Sequence, residues 1–324
     1  MRSHPRDDRA NPAEPNNVQP RLPVTLSTDA MVKVLSPRLL RLGKKLHHLT
    51  ERHRKTTTGF AGLLFLAGLS WSLMSTNLNW NDVAPTTLLF LFFILTPAGL
   101  ALAAVSLQVT ARAVAQRVSF RGAFVASATS RIAEILPLPG GAIVRGIVLV
   151  RAGATLGQST RITVVTALLT LFLALAFSST ALILISPTAG YLVLGISVLC
   201  IMGCIAPIGY RVGVTVALAM VIIRIATIGL AMIRISAAFS ALGTELNASD
   251  AALFVVCSIL GTSASVVPSG LGLNESLAAA LALLVNISPS TAFLATAINR
   301  FFSLAVSGLV VAIFLPRTTF QIPE

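Results

Sequence analysis

Long apolar stretches alternate with short polar connections along the chain after residue 58. A helix needs about 20 apolar residues to cross the hydrocarbon core of a bilayer. Hydropathy predicts six such spans, at 59–79, 86–110, 161–185, 190–209, 212–240 and 290–315. We therefore predict an all-α integral membrane protein, with a multi-span helical bundle over 59–317.

Two further apolar segments, 122–150 and 251–287, are each broken in the middle by a run rich in proline and glycine. The runs read PLPGGAIVR at 137–145 and PSGLGLNE at 268–275. Proline removes a backbone donor and glycine adopts unusual dihedral angles, so neither segment continues as an unbroken helix. A bilayer tolerates broken helix only where protein or water shields the freed backbone groups. Two such breaks, in corresponding places of two halves, predict a binding site near the midplane of a carrier.

Charge near the N-terminus orients the predicted spans. The first 58 residues carry 12 Lys and Arg against 5 Asp and Glu, which favours the cytoplasmic side. We predict a disordered tail over 1–30 and a basic amphipathic helix over 31–58 on the anionic cytoplasmic leaflet, with a solvated helix or a packing arm as the alternative. Met31 is an alternative start, and no secretory signal is expected. Both termini are then predicted to be cytoplasmic, in a bacterial inner (plasma) membrane.

The lengths and ends of the broken segments predict re-entrant hairpins. Segment 122–150 lies between Arg121 and Arg151, and its 29 residues are too few for two spans. We therefore expect it to enter the membrane from inside and return. Segment 251–287 follows Asp250 and has no cation at either end, so we expect it to enter from outside. The two predicted hairpins form an inverted repeat whose tips meet near the midplane.

Composition excludes a water-soluble domain of this length, because the chain is 55% hydrophobic and 11% charged with a mean hydropathy of +0.85. The histidines precede the first predicted span, which removes imidazole chemistry from the membrane core; they are His4, His47, His48 and His53. The three cysteines are interpreted as small apolar side chains, since no partner ligands lie near them in sequence. We predict no cofactor, no metal site and no nucleic-acid partner.

Charged residues inside the predicted membrane core are costly and usually functional. Four arginines face two glutamates there, and the excess of about two positive charges favours an anionic ligand such as a lipid phosphate. The candidate substrate-binding residues are Arg131, Glu134, Arg145, Arg224, Asn274, Glu275 and Arg300. The candidate hinge or backbone residues are Pro139, Gly140, Gly141, Pro268, Gly270 and Gly272. The alternative is a set of buried pairs that fix helix register, with Arg145 reaching the cytoplasmic face. Arg234 is expected near the outer interface and outside the site.

The two broken runs and the last span resemble the transmembrane domain of lysylphosphatidylglycerol synthases, also called the multiple peptide resistance factor flippase domain. Members of that family carry Pro-Gly-Gly followed by an arginine, then a Pro-Gly-Gly-Leu-Gly-x-x-Glu-like run and an arginine in the last span. The matching residues here are Pro139-Gly140-Gly141 with Arg145, the run 268–275, and Arg300; Ser269 stands where the family often has glycine. The resemblance extends over about 59–315.

The resemblance implies movement of phospholipid, sometimes aminoacylated, between leaflets. Bifunctional members attach a soluble aminoacyl-transferase domain after the membrane part, whereas this chain ends at Glu324. We therefore expect a stand-alone member that does not synthesise lysyl-lipid.

Three functions stay open. The leading one is a flippase-like lipid carrier that translocates an anionic or aminoacylated phospholipid, or a polyprenyl-phosphate lipid, between leaflets. In it, Arg145 and Arg300 hold the phosphate, and Glu275 organises Arg300 or meets a cationic headgroup. The second is a membrane-embedded lipid-phosphate enzyme, a class that needs clustered carboxylates to bind a metal ion. The third is an accessory subunit of a cell-envelope lipid pathway, with a lipid-biosynthesis enzyme as its partner; a homodimer is left open.

Overall fold

The computed structural model describes residues 65–72, 74, 83–134, 140–263 and 272–314. These residues form helices joined by short turns, and no strand occurs among them. The predicted tail and the predicted basic helix lie outside this part of the chain. So does most of the predicted span at 59–79, of which residues 65–72 are helical.

The labelled helices follow one another with short connections. They are α1 Pro85–Arg112, α2 Phe120–Ala133, α3 Gly140–Arg151, α4 Leu156–Ile185, α5 Pro187–Val212, α6 Val214–Ser240, α7 Ala248–Ser263, α8 Leu273–Ala282 and α9 Pro289–Phe314. Helix α1 contains a π-helical segment at Leu91–Leu95, and α8 continues into a 3₁₀ turn at Leu283–Val285.

Five of these helices, α1, α4, α5, α6 and α9, are long and apolar enough to cross a bilayer by length and composition. They confirm helices at the predicted spans 86–110, 161–185, 190–209, 212–240 and 290–315. Helix α4 begins before the apolar stretch, because Thr155 and Gln158 form a reciprocal capping box at its start. Helix α5 begins with Pro187, a residue suited to the first turn of a helix.

Each broken segment is a pair of short helices rather than one long one. Helices α2 and α3 have 14 and 12 residues and pack against each other, and α7 and α8 have 16 and 10 residues and do the same. We call α2–α3 the first pair and α7–α8 the second pair. Within the first pair, Gly140 lies so close to the carbonyl of Ala133 that a Cβ would overlap it.

The packing partners of the two pairs repeat along the chain. In the first half, α2 packs on α1 and α3 packs on α4; in the second half, α7 packs on α6 and α8 packs on α9. Across the halves, α2 packs on α9, α7 packs on α4, and α1 packs on α6. Exchanging the two halves therefore leaves this set of helix contacts unchanged, while α5 stands outside the repeat.

Two apolar clusters hold the bundle together. One contains Phe239 of α6 and Phe254 of α7, together with residues of α1, α4, α8 and α9. The other contains Leu149 of α3 and Ala123 of α2, together with residues of α1, α4, α5 and α6. Each short pair thus has its own apolar cluster, and the long helices α1, α4 and α6 belong to both.

Candidate functional site

A cavity of about 380 Å³ lies inside the bundle. Residues of every labelled helix except α5 line it, and the tips of both short pairs contribute to its wall. Five arginines line the cavity: Arg131, Arg145, Arg224, Arg234 and Arg300. The only acidic residue on the described wall is Glu134. The cavity is therefore strongly cationic inside an otherwise apolar bundle.

The first pair supplies a loose cluster of charges at its tip. Glu134 caps the C-terminal end of α2, and its two oxygens lie 3.8 Å from Nη1 of Arg131 and 3.9 Å from Nη2 of Arg145. These distances exceed hydrogen-bond length, so both ion pairs are electrostatic contacts only. The Nε of Arg145 donates to Ser130 Oγ at 3.1 Å, and that hydroxyl donates to the carbonyl of Gly141 at 2.9 Å. Arg145 is thus anchored at Nε while its terminal nitrogens remain near the cavity.

The second pair holds its glutamate tightly. Glu275 is the third residue of α8 and has no exposed surface. One carboxylate oxygen accepts from Nη1 of Arg300 at 3.0 Å, and the other accepts from the backbone N–H of Gly272 at 2.9 Å. Gly272 has a φ of +79°, a conformation that favours glycine. Glu275 therefore lies behind Arg300, outside the cavity wall, and orients that arginine from α9.

The observed position of Arg234 differs from the one predicted from the sequence. Arg234 was expected near the outer interface, but it is 92% buried on the cavity wall, with 8% of its surface exposed. Its Nη2 donates to the carbonyl and Oδ1 of Asn299, at 3.2 and 2.8 Å, and to Ser303 Oγ. Asn299 and Ser303 are one turn apart on α9, and this polar pair in an apolar span is the sequence signal that could have indicated a buried partner on another helix.

Arg224 is the arginine of the wall with the fewest constraints. It makes neither a hydrogen bond nor an ion pair with any residue in the described part of the chain, and it shares the cavity with the like charge of Arg145. Two cations that share a cavity repel each other, and an anion placed between them relieves that repulsion. The arrangement therefore suits an anionic ligand.

Several buried polar atoms on the same wall have no partner among the described residues. They are Oγ1 of Thr163, Nε of Arg234, Oδ1 of Asn274 and Oγ1 of Thr296. Buried polar atoms are normally hydrogen-bonded to protein or to water. The cavity therefore has polar binding capacity beyond its charges.

The sequence-predicted site residues fall into three groups. On the cavity wall lie Arg131, Glu134, Gly141, Arg145, Arg224, Asn274 and Arg300. Beside the wall lie Glu275, Gly140 and Gly272. Pro139, Pro268 and Gly270 lie outside the described residues.

Comparisons of the chain with protein-family models, with curated proteins and with solved structures gave no match. The physical properties of the cavity are therefore the basis for assigning a function.

Proposed function

We propose that the chain is a flippase-like membrane carrier that binds the phosphate of an anionic lipid in the arginine-lined cavity and moves it between leaflets. The observation that carries the proposal is the excess of positive charge. Five arginines line the cavity, and among the described residues the carboxylates near them are Glu134 on the wall and Glu275 behind Arg300. An excess of three positive charges inside an apolar bundle is costly, and a bound anion that neutralises it is stabilising.

Arginine is the residue type that suits a phosphate ligand. Its planar guanidinium offers several fixed donors and binds phosphate oxygens in a bidentate manner. Arg145 and Arg300 are each oriented by a hydrogen bond within the protein, to Ser130 and Glu275 respectively. Arg224 has no such restraint from the described residues, so it is free to follow the ligand. A phosphate bound by Arg145 of α3 and Arg300 of α9 at once would couple ligand binding to the position of the first pair relative to α9.

The helix contacts support an inverted arrangement of two re-entrant pairs. The N–H of Ala84, just before α1, donates to the carbonyl of Ala241, just after α6, at 3.1 Å. Phe124 near the start of α2 packs against Phe314 at the end of α9, with ring centroids 6.4 Å apart. Helix α1 is then antiparallel to α6, and α2 to α9. The first pair would open towards one membrane face and the second pair towards the other, with their tips at the cavity, as alternating access requires.

The charges at the helix ends support a cytoplasmic location for the open end of the first pair. Arginines occur where α1, α3 and α5 end and where α2 and α4 begin: Arg112, Arg121, Arg151, Arg161 and Arg211. The connection from α6 to α7 instead carries Glu245 and Asp250. Positive charge marks the cytoplasmic side of membrane proteins. This orientation agrees with an inner-membrane protein of the lysylphosphatidylglycerol synthase transmembrane type.

The proposal is tested with purified protein in liposomes. The vesicles contain phosphatidylglycerol labelled on an acyl chain, and a membrane-impermeant quencher bleaches the outer leaflet. Vesicles without protein should lose about half of the signal, because half of the lipid is in each leaflet. Vesicles with active protein should lose nearly all of it. Arg224→Gln should slow this loss, whereas Arg211→Gln, an exposed arginine away from the cavity, should not. Binding without movement would favour an accessory role, and absence of both would refute the proposal.

A further inference from the structure

The cavity wall carries many uncharged hydroxyl groups besides its arginines. They belong to Ser106, Thr110, Thr163, Thr166, Thr170, Thr227, Ser258, Thr296 and Ser303. Helices α1 and α4 supply five of them. A phosphate needs donors and charge, which the arginines already provide. The hydroxyl groups are therefore available to bind another polar group of the ligand.

Most of these hydroxyls already donate a hydrogen bond to a backbone carbonyl of their own helix. Thr110 donates to the carbonyl of Ser106 at 2.8 Å, Thr166 to that of Thr163 at 3.0 Å, and Thr170 to that of Thr166 at 2.7 Å. On α6, Thr227 donates to a carbonyl of its own helix at 2.7 Å. A hydroxyl has one proton, so a hydroxyl that donates to its own helix offers only lone pairs to a ligand. The part of the wall formed by these threonines therefore accepts hydrogen bonds, and it is complementary to a ligand that donates them.

Two deeply buried side chains give independent evidence for a missing partner. Asn274 and Thr296 have only 4% and 5% of their surface exposed, and both line the cavity. Oδ1 of Asn274 and Oγ1 of Thr296 have no hydrogen-bond partner among the described residues. A buried polar atom without a partner is costly, and each of these two oxygens can accept a hydrogen bond. Oδ1 of Asn274 lies against Gly261 of α7, where an added Cβ would overlap it, so the close approach of α7 and α8 depends on this glycine.

The charge of the cavity limits which donor fits. An ammonium group donates hydrogen bonds, but it would enter a cavity that already has an excess of three positive charges. A neutral hydroxyl group donates without that repulsion. Resting on the proposed function, in which the arginines bind the phosphate, we propose that the ligand is a polyol phosphate, whose neutral hydroxyls bind the threonine and asparagine wall. The cavity would thus select glycerol- or sugar-phosphate headgroups over amine-bearing ones.

The experiment compares lipids that share the phosphodiester charge and differ mainly in the hydroxyls of the headgroup. Phosphatidylglycerol and phosphatidylethanol carry the same phosphodiester charge, but only the first has free hydroxyls. Binding is measured on purified protein in detergent, with each lipid displacing labelled phosphatidylglycerol. We expect phosphatidylglycerol to bind about tenfold more tightly than phosphatidylethanol, the size of one or two hydrogen bonds. Phosphatidylethanolamine should bind more weakly than both.

Substitutions of wall threonines test whether the preference for phosphatidylglycerol depends on the hydroxyls of the cavity wall. Thr166→Val and Thr296→Val keep the side-chain shape and remove the hydroxyl. The ratio of the affinity for phosphatidylglycerol to that for phosphatidylethanol should therefore fall towards one, while the affinity for phosphatidylethanol stays the same. Thr180→Val is the matched control, because Thr180 lies on α4 with an intrahelical hydrogen bond but not on the cavity wall. Thr296→Val should also raise the melting temperature of the lipid-free protein, since it removes a buried hydroxyl without a partner.

The outcomes separate this inference from the proposed function. Equal binding of phosphatidylglycerol and phosphatidylethanol would overturn the polyol inference, because water rather than the headgroup would then be the hydrogen-bond partner of the wall. The proposed arginine site would be unaffected by that result. Binding of neither lipid would overturn the proposed function itself. A second displacement experiment with glycerol 3-phosphate as the competitor distinguishes a soluble ligand from a lipid headgroup. Displacement at concentrations similar to the lipid would assign the site to a soluble polyol phosphate, and displacement only by phosphatidylglycerol would assign it to a lipid headgroup.

Discussion

The two short helix pairs each bring one glutamate to the cavity region, and they hold it in opposite ways. Glu275 of the second pair is fully buried and accepts two hydrogen bonds, from Arg300 and from the Gly272 N–H. Glu134 of the first pair is 27% exposed and lies 3.8 and 3.9 Å from its two arginines. A buried, hydrogen-bonded pair is part of the fold. A loose, partly exposed pair contributes little stability and leaves its arginines available to a ligand.

The difference begins with the position of each glutamate on its helix. Glu275 is in the first turn of α8, where the helix dipole favours a negative charge and the free N–H groups can bind it. Glu134 follows the last residue of α2, where the dipole disfavours a negative charge. The carboxylate of Glu134 therefore depends on Arg131 and Arg145 for stabilisation. An anionic ligand competes for the same two arginines, which makes the first pair the responsive one.

The largest expected effect is that of Glu275→Ala on stability. The substitution leaves Arg300 mostly buried, with 15% of its side chain exposed, and without its carboxylate partner. Removing one member of a buried pair costs about 3–5 kcal/mol. We expect a large drop in melting temperature in detergent, and Glu134→Ala should cost no more than about 1 kcal/mol. The double variant Glu275→Ala/Arg300→Ala should cost less than the two single variants together. An unchanged melting temperature in Glu275→Ala would mean that Arg300 is satisfied by the cavity instead.

The next effect concerns binding rather than folding. Arg145→Gln removes a cation of the first pair that is anchored to Ser130 and adjacent to the cavity. Loss of one charge-assisted hydrogen bond, worth about 1.5–3 kcal/mol, should weaken phosphatidylglycerol binding by about 10- to 100-fold. The melting temperature of the lipid-free protein should change little, because Glu134 keeps Arg131. Arg211→Gln serves as the control for a cation outside the cavity. Unchanged binding in Arg145→Gln would assign the phosphate to the arginines of α6 and α9.

A third effect tests the close packing at the tip of the first pair. In Gly140→Ala the new Cβ would overlap the backbone carbonyl of Ala133, which cannot move without separating α2 from α3. Such overpacking costs about 1–3 kcal/mol, and chemical-denaturant titration of the purified protein should show it. Gly229→Ala is the matched control, because its added Cβ has no atom within 4 Å apart from the adjoining backbone of its own helix, and alanine favours helix. Equal stability of the two variants would show that the tip of the first pair can open without cost.

The smallest effect has the opposite sign. Glu134→Gln removes the acidic charge from the described cavity wall and frees Arg131 and Arg145 from their loose pairs. Because such pairs are worth about 1 kcal/mol or less, binding of phosphatidylglycerol should tighten by at most about fivefold, with little change in stability. Equilibrium binding at two salt concentrations measures this change. Weaker binding in Glu134→Gln would indicate that Glu134 contacts a cationic group on the ligand.

Much of the fold follows from local patterns in the sequence. Runs of apolar residues predicted the five long helices, because the length needed to cross a bilayer is a property of each helix alone. Proline and glycine predicted the breaks between α2 and α3 and between α7 and α8, because a missing donor or side chain interrupts a helix wherever it occurs. The helix starts were less predictable. The capping box at Thr155 lies in a polar stretch that hydropathy does not register.

The charges inside the predicted core also marked the candidate residues, because a charge in an apolar segment is costly wherever the helix packs. Which of them share a wall depended on the rotation of each helix about its axis, and that is set by contacts with other helices. Tertiary packing alone brought Arg234 of α6 to Asn299 of α9, and hid Glu275 behind Arg300. It also left Oδ1 of Asn274 and Oγ1 of Thr296 buried without a hydrogen-bond partner among the described residues, because such partners come from other helices. The sequence by itself determined a membrane bundle with charges in its core, and the tertiary structure decided that these charges surround one cavity.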